Sequence, residues 1–239
     1  MLPRRLIDTA QVPGGVADLR LMQRGSEFSI MLGQNELMSS RLSGSEEALA
    51  TLACRQLQST TAPRLLIGGL GMGFTLRAAL KVLGPKAVIV VAELVPAVVR
   101  WARGPMAELF GASMTDPRVT IREGDVGDII GETGATYDAI LLDVDNGPEG
   151  LTRESNSLLY GSAGLSAARA ALVPGGVLAV WSSFPDPRFT KKLRDAAFEV
   201  NEISLRATGK GGGARHVIWM ATKPASRALD GTSIEDRDS

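Results

Sequence analysis

Residues 141–148 read "LLDVDNGP": an apolar run with the look of a buried strand ends in Asp143, Asp145 and Asn146, and a Gly-Pro turn follows at once. Burying carboxylates is costly unless they are paired or put to use. Two neighbouring carboxylates can bind an ammonium group, or one can take its proton as a general base. Asp143, at the strand end, is the candidate for moving a proton, and Asp145 for holding a cationic substrate. Turn chemistry competes with both readings, because Asp, Asn, Gly and Pro are the commonest turn formers. For Asn146 the turn is sufficient explanation.

Three other places carry chemistry. "LLIGGLGMGFTLR", residues 65–77, reads as strand, glycine turn and helix, and Gly69, Gly71 and Gly73 would let the main chain approach a ligand closely. The spacing is G-x-G-x-G. The dinucleotide pattern needs Gly or Ala where Phe74 stands, which argues against a nicotinamide dehydrogenase. Glu93 ends the next strand, 24 residues after Gly69. An acid there can accept both hydroxyls of a ribose; the alternative is a solvated strand-end carboxylate. Asp125, in "REGDVGD", either accepts from an adenine amino group or caps the short helix that follows, and the two roles are compatible. Tyr160 and Trp181 are candidates for lining a substrate pocket. Trp101 and the residues around Trp219 read as core, and His216 as a structural histidine.

The residue counts narrow the chemistry further. The chain has 239 residues, 26 Lys plus Arg against 26 Asp plus Glu, and therefore no net charge. Nucleic acid and anionic membrane surfaces usually require a basic excess, so neither is expected as partner. One cysteine, Cys54, excludes an internal disulfide and suits a reducing compartment. One histidine leaves almost no material for Cys-His or Ser-His pairs, and no zinc-ligand spacing occurs, so no metal is expected. The basic N-terminus lacks the apolar core of a signal peptide, and no apolar run approaches the ~18 residues of a membrane span. A cytoplasmic protein is the expectation.

The elements that must position these residues fall into two styles. Residues 1–44 carry short alternating segments, "ADLRLMQRG" and "EFSIMLGQNELMSS", that predict a small antiparallel hairpin region. In "SGSEEALATLACRQLQS", Ser45 is a candidate N-cap with Glu46 and Glu47 in the first turn. Residues 45–223 repeat apolar strand, glycine turn and amphipathic helix, the pattern of a parallel sheet covered on both faces. Strands are expected at "RLLIGG", "AVIVVAE", "RVTIREGD", "YDAILLDVD" and "GGVLAVWSS", with a helix around 154–172. The last two strands, joined by "TGKGGG", have no helix between them and should form an antiparallel hairpin. Residues 224–239 are expected to be a disordered tail. In such a sheet the ligand sits beyond the carboxyl ends of the strands, near the switch in strand order.

"LLIGGLGMG", "VVAELVPAVVRWAR", "VTIREGDVGDII" and "YDAILLDVDNGPEG", in this order, resemble the nucleoside-donor motifs of the class I S-adenosylmethionine methyltransferase fold. More narrowly they resemble the spermidine synthases, its aminopropyltransferase branch, over roughly residues 18–222. The resemblance implies a Rossmann-like α/β domain behind an N-terminal hairpin region. It implies that the glycine turn holds the donor, Glu93 its ribose and Asp125 its adenine, with Asp143 deprotonating the attacking amine. The branch carries an Asp in its glycine turn where this chain has Gly71, and a Tyr-His-Glu signature where this chain has "EEALATLA". Three functions follow. The first is transfer of an aminopropyl group from decarboxylated S-adenosylmethionine to an amine. The second is a methyltransferase using S-adenosylmethionine itself, favoured by a missing carboxylate that would repel the donor's own. The third is a nucleoside-binding module without turnover. The expected partner is a small amine or other small acceptor, with the protein acting alone or as a homodimer.

Overall fold

Two sheets organise the computed structural model: a four-stranded antiparallel sheet from the N-terminal residues and a seven-stranded sheet flanked by helices. It describes residues 3–14, 18–41, 43–132, 134–144, 158–206 and 215–225. The first sheet is a meander of β1 (Arg5–Gln11), β2 (Asp18–Arg24), β3 (Glu27–Leu32) and β4 (Asn35–Ser39). Strands β2 to β4 follow the alternating segments, with Leu19, Leu21 and Ile30 turned into the core. The expected hairpin therefore gains a strand. In β1 no side chain is fully buried, so "RLIDTAQ" carries no alternating signal.

Helix α1 (Gly44–Gln56) leads into the larger sheet. It begins one residue before the expected cap: Ser43 stands at the N-cap position, and Ser45 lies inside the first turn with 2% exposure. Then come β5 (Arg64–Gly68), α2 (Phe74–Val82), β6 (Val88–Glu93), α3 (Pro96–Arg103) and α4 (Ala107–Phe110). Gly104 and Pro105 separate α3 from α4, since proline removes a helical N–H. Strand β7 (Val119–Glu123), α5 (Val126–Gly131) and β8 (Tyr137–Leu142) follow. The chain continues through α6 (Ser162–Ala171), β9 (Leu172–Ser182) and α7 (Pro187–Asp195) to the hairpin of β10 (Glu199–Arg206) and β11 (Arg215–Thr222). The linking "TGKGGG" and the tail from residue 226 lie outside the described residues.

The strand order is β10-β11-β9-β8-β5-β6-β7, parallel from β9 through β7 and antiparallel at β11 and β10. Central strands are apolar throughout because both faces are covered. On β5, Leu65 and Ile67 join the core beneath α1, α2 and α3, while Leu66 joins the core beneath α5, α6 and α7. The chain runs from β5 outward through β6 to β7 and then returns to β8 on the other side of β5, so the carboxyl ends of β5 and β8 form the switch point. Among the described residues no helix is long and apolar enough to cross a membrane.

Candidate active site

Strand β5 ends at Gly68, and the chain reaches α2 through Gly69–Gly73. Gly69 has φ 93° and Gly73 φ 71°, where side chains are disfavoured. Space forbids them as well: a Cβ at Gly69 would overlap the main-chain oxygen of Asp143, and one at Gly73 the ring of Phe110. The Gly69 N–H donates to the oxygen of Ala92 at 2.8 Å, and the Asp143 N–H to that of Gly68 at 3.0 Å. The turn and the ends of β6 and β8 are thereby one hydrogen-bonded piece.

Glu93 is 7% exposed at the end of β6. Its Oε2 accepts from the Leu70 N–H at 2.9 Å and its Oε1 from the Val95 N–H at 2.8 Å. One buried carboxylate thus braces both the glycine turn and the entry to α3. Asp125 follows β7 and caps α5, accepting from the Gly127 N–H at 2.9 Å.

Gly69, Gly71, Glu93, Asp125 and Asp143 line one cavity at the carboxyl ends of β5 to β8. Its other wall is apolar and comes from the N-terminal sheet: Val12, Leu19, Ile30, Leu37 and Met38. The Met38 sulfur lies 3.0 Å from where a Cβ on Gly71 would stand. Among the described lining residues the ionisable groups are the three carboxylates, with no Lys, Arg or His. Gly73 does not line the cavity; it lets α2 start against Phe110.

Asp143 is held from the helix side. The Thr75 hydroxyl, 3% exposed on α2, donates to Asp143 Oδ2 at 2.6 Å. Burial pushes the Asp143 carboxyl up to about 7, the charge of Glu46 adds to the rise, and the Thr75 hydrogen bond opposes it. Glu46 belongs to a second chain of contacts. Ser45 Oγ donates to Glu46 Oε2 at 2.6 Å and lies 2.9 Å from His216 Nδ1. A hydroxyl has one proton, so the proton between Ser45 and His216 sits on the imidazole Nδ1. Burial lowers the His216 pKa, and Glu46 opposes that shift.

Two residues proposed as pocket lining belong elsewhere. Tyr160 is 1% exposed and packs edge-on against Phe189 at 5.5 Å, in the core beneath α5 to α7. Trp181 is 8% exposed and packs edge-on against His216 at 4.9 Å beneath α1. Neither is part of the cavity wall, because large rings at these strand and helix ends are covered by neighbouring elements. Asp145 and Asn146 lie outside the described residues. Thr75, Met38 and the Ser45–His216 contact were absent from the sequence reading. Thr75 left a signal: it is a hydroxyl on the buried face of an apolar helix, where a polar group needs a partner.

Strand order, switch-point cavity and terminal hairpin define a Rossmann-like α/β fold. Within that class the chain has the fold of the spermidine synthases. It is similar to the crystal structure of spermidine synthase from Thermotoga maritima, with a TM-score of 0.72 and 18% identity, covering 92% of this chain and 73% of that one. A spermidine synthase in complex with the transition-state analogue AdoDATO gives 0.70 and 18%, covering 92% and 72%. A probable spermidine synthase from Corynebacterium glutamicum gives 0.62 and 19%, covering 91% and 79%. No protein-family model matches the chain, and no curated protein matches its sequence.

Proposed function

We propose that the protein is a transferase that takes an S-adenosyl sulfonium donor and moves an aminopropyl group to a small amine acceptor. One observation carries the reading: Asp143, ionising at about 7, faces a cavity whose described charged groups are all carboxylates. A donor whose tail ends in an ammonium suits that cavity. A donor that also carries a carboxylate would meet like charge there. Decarboxylated S-adenosylmethionine is therefore the proposed co-substrate, and the AdoDATO complex of a structurally similar spermidine synthase supports it.

In this reading Glu93 receives the ribose hydroxyls in addition to the main-chain N–H groups it holds, and Asp125 receives the adenine amino group. The sulfonium is already activated, so transfer needs alignment of a neutral nucleophile more than a strong acid or base. The acceptor amine loses a proton to Asp143. Its nitrogen attacks the aminopropyl carbon bonded to sulfur, and the C–S bond breaks to release a neutral thioether. Asp145 would help hold the cationic acceptor. The single cysteine, buried and free, supports action in the reducing cytoplasm.

A second reading, methyl transfer from S-adenosylmethionine, is favoured by Gly71. No carboxylate stands there to repel the donor's own, and the Met38 thioether occupies the adjoining space. Calorimetric titration of the protein with each donor separates the two readings. Tighter binding of the decarboxylated donor, with transfer to a diamine, is expected. Preference for S-adenosylmethionine would favour the methyltransferase, and binding of neither would end both.

A further inference from the structure

The contact between Thr75 and Asp143 has a geometry suited to a group that changes protonation. Thr75 Oγ1 has one proton and two acceptors in reach, Asp143 Oδ2 at 2.6 Å and the main-chain oxygen of Glu46 at 3.4 Å. When Asp143 is ionised, the hydroxyl donates to it. When Asp143 carries a proton, the carboxyl can donate to Oγ1 while the threonine hydrogen turns to the Glu46 oxygen. That carbonyl has two lone pairs, so it can serve α1 and Thr75 together. Neither state leaves the buried hydroxyl without a partner, which is the usual cost of moving a proton into a packed interior.

We propose that Thr75 is a positioning residue that holds Asp143 in one place through both of its protonation states. The proposal rests on the reading of Asp143 as the base. Among the described residues the charged groups around Asp143 are few. Helix α1 contributes Glu46, itself bound by Ser45, which His216 of β11 contacts in turn. Helix α2 contributes uncharged Thr75. Leu141 pairs with Ala179, which sets uncharged Trp181 of β9 level with Asp143. The described cavity wall adds Glu93 and Asp125. The Thr75 hydrogen bond favours the ionised form of Asp143, and the Glu46 charge opposes it.

The test is a carbon-13 NMR titration of the Asp143 carboxyl in the full-length, ligand-free protein, its resonance identified by its loss in Asp143→Asn. Thr75→Val keeps the shape of the side chain and should move the midpoint to higher pH. Thr75→Ser keeps the hydroxyl and should leave it near the wild-type value, which guards against a packing effect. Glu46→Gln keeps the main-chain oxygen and should move the midpoint to lower pH. The pH–rate profile of transfer to an amine should follow the same order. A midpoint that stays at the wild-type pH in Thr75→Val, or that moves to lower pH, would overturn the proposal. A shift in Thr75→Val that the pH–rate profile ignores would overturn Asp143 as the base while leaving the contact itself established.

Discussion

The indole Nε1–H of Trp101 donates to Asp8 Oδ2 across 2.7 Å, tying α3 of the large sheet to the edge strand of the N-terminal sheet. That sheet supplies the apolar wall of the cavity, so the contact fixes the wall as well as the strand. The Trp101 hydrogen bond, together with the Thr9 N–H, holds the Asp8 carboxyl below its ordinary value of 3.8. A carboxyl lowered by folding contributes stability that is present above its unfolded value and lost as pH falls through the folded one. Asp8→Asn should therefore be less stable than wild type near neutral pH. The gap should close as pH falls below about 4, which thermal unfolding between acid and neutral pH would measure.

Asp143 has the opposite sign. Its carboxyl is raised from 3.8 to about 7, so ionising it costs stability that grows as pH rises through that window. Asp143→Asn should be as stable as wild type at acid pH and more stable at pH 8. The gain should build at no more than about 1.4 kcal/mol per pH unit between the two values. A melting difference that does not depend on pH would show that the carboxyl titrates normally.

Glu93→Ala should weaken binding of either adenosyl donor, and of adenosine itself, by about 1.5–3 kcal/mol. It should also lower the melting temperature, because the Leu70 and Val95 N–H groups lose their acceptor. Calorimetry with adenosine checks the first outcome. Unchanged affinity would remove Glu93 from the nucleoside site and leave it a brace for the turn.

At the glycine turn, Gly69→Ala should cost more than about 1 kcal/mol, since both its φ and the Asp143 main chain exclude a Cβ. Gly71→Asp is milder. Its φ is 48°, a region Asp tolerates better than most residues, and the obstructing atom is the sulfur of the flexible Met38 side chain. That variant should shift preference toward the decarboxylated donor. An identical ratio of donor affinities in wild type and variant would separate Gly71 from donor choice.

Much of this was legible because it is local. The run Leu65–Leu66–Ile67, with burial alternating between the two faces, announces a central parallel strand. Glu93 ends such a run, Asp143 follows one and Asp125 follows the edge strand β7, all at the carboxyl ends where the cavity lies. What escaped the sequence depends on long-range contact. Thr75 meets Asp143 across 68 residues, and Ser45 meets His216 across 171. Ser45 looked like a cap because its spacing before two glutamates fits one, but starting the helix at Gly44 turns its hydroxyl inward. The alternating segments of β2 to β4 predict a hairpin region but carry no signal of where it docks. Only docking on the switch point makes Leu19, Ile30 and Met38 a cavity wall.

The central claim is that Asp143 takes a proton from an amine, and the most direct measurement is the pH–rate profile of Asp143→Asn beside wild type with a transferred amine. The amide keeps the shape and loses the base. Turnover at neutral pH should fall by roughly 100-fold or more, the usual worth of a positioned general base. The defect should shrink at high pH, where more of the amine is neutral before it binds, and donor affinity should change far less. Near-full turnover of Asp143→Asn at neutral pH would contradict the account, leaving Asp143 a half-buried strand-end residue held by Thr75.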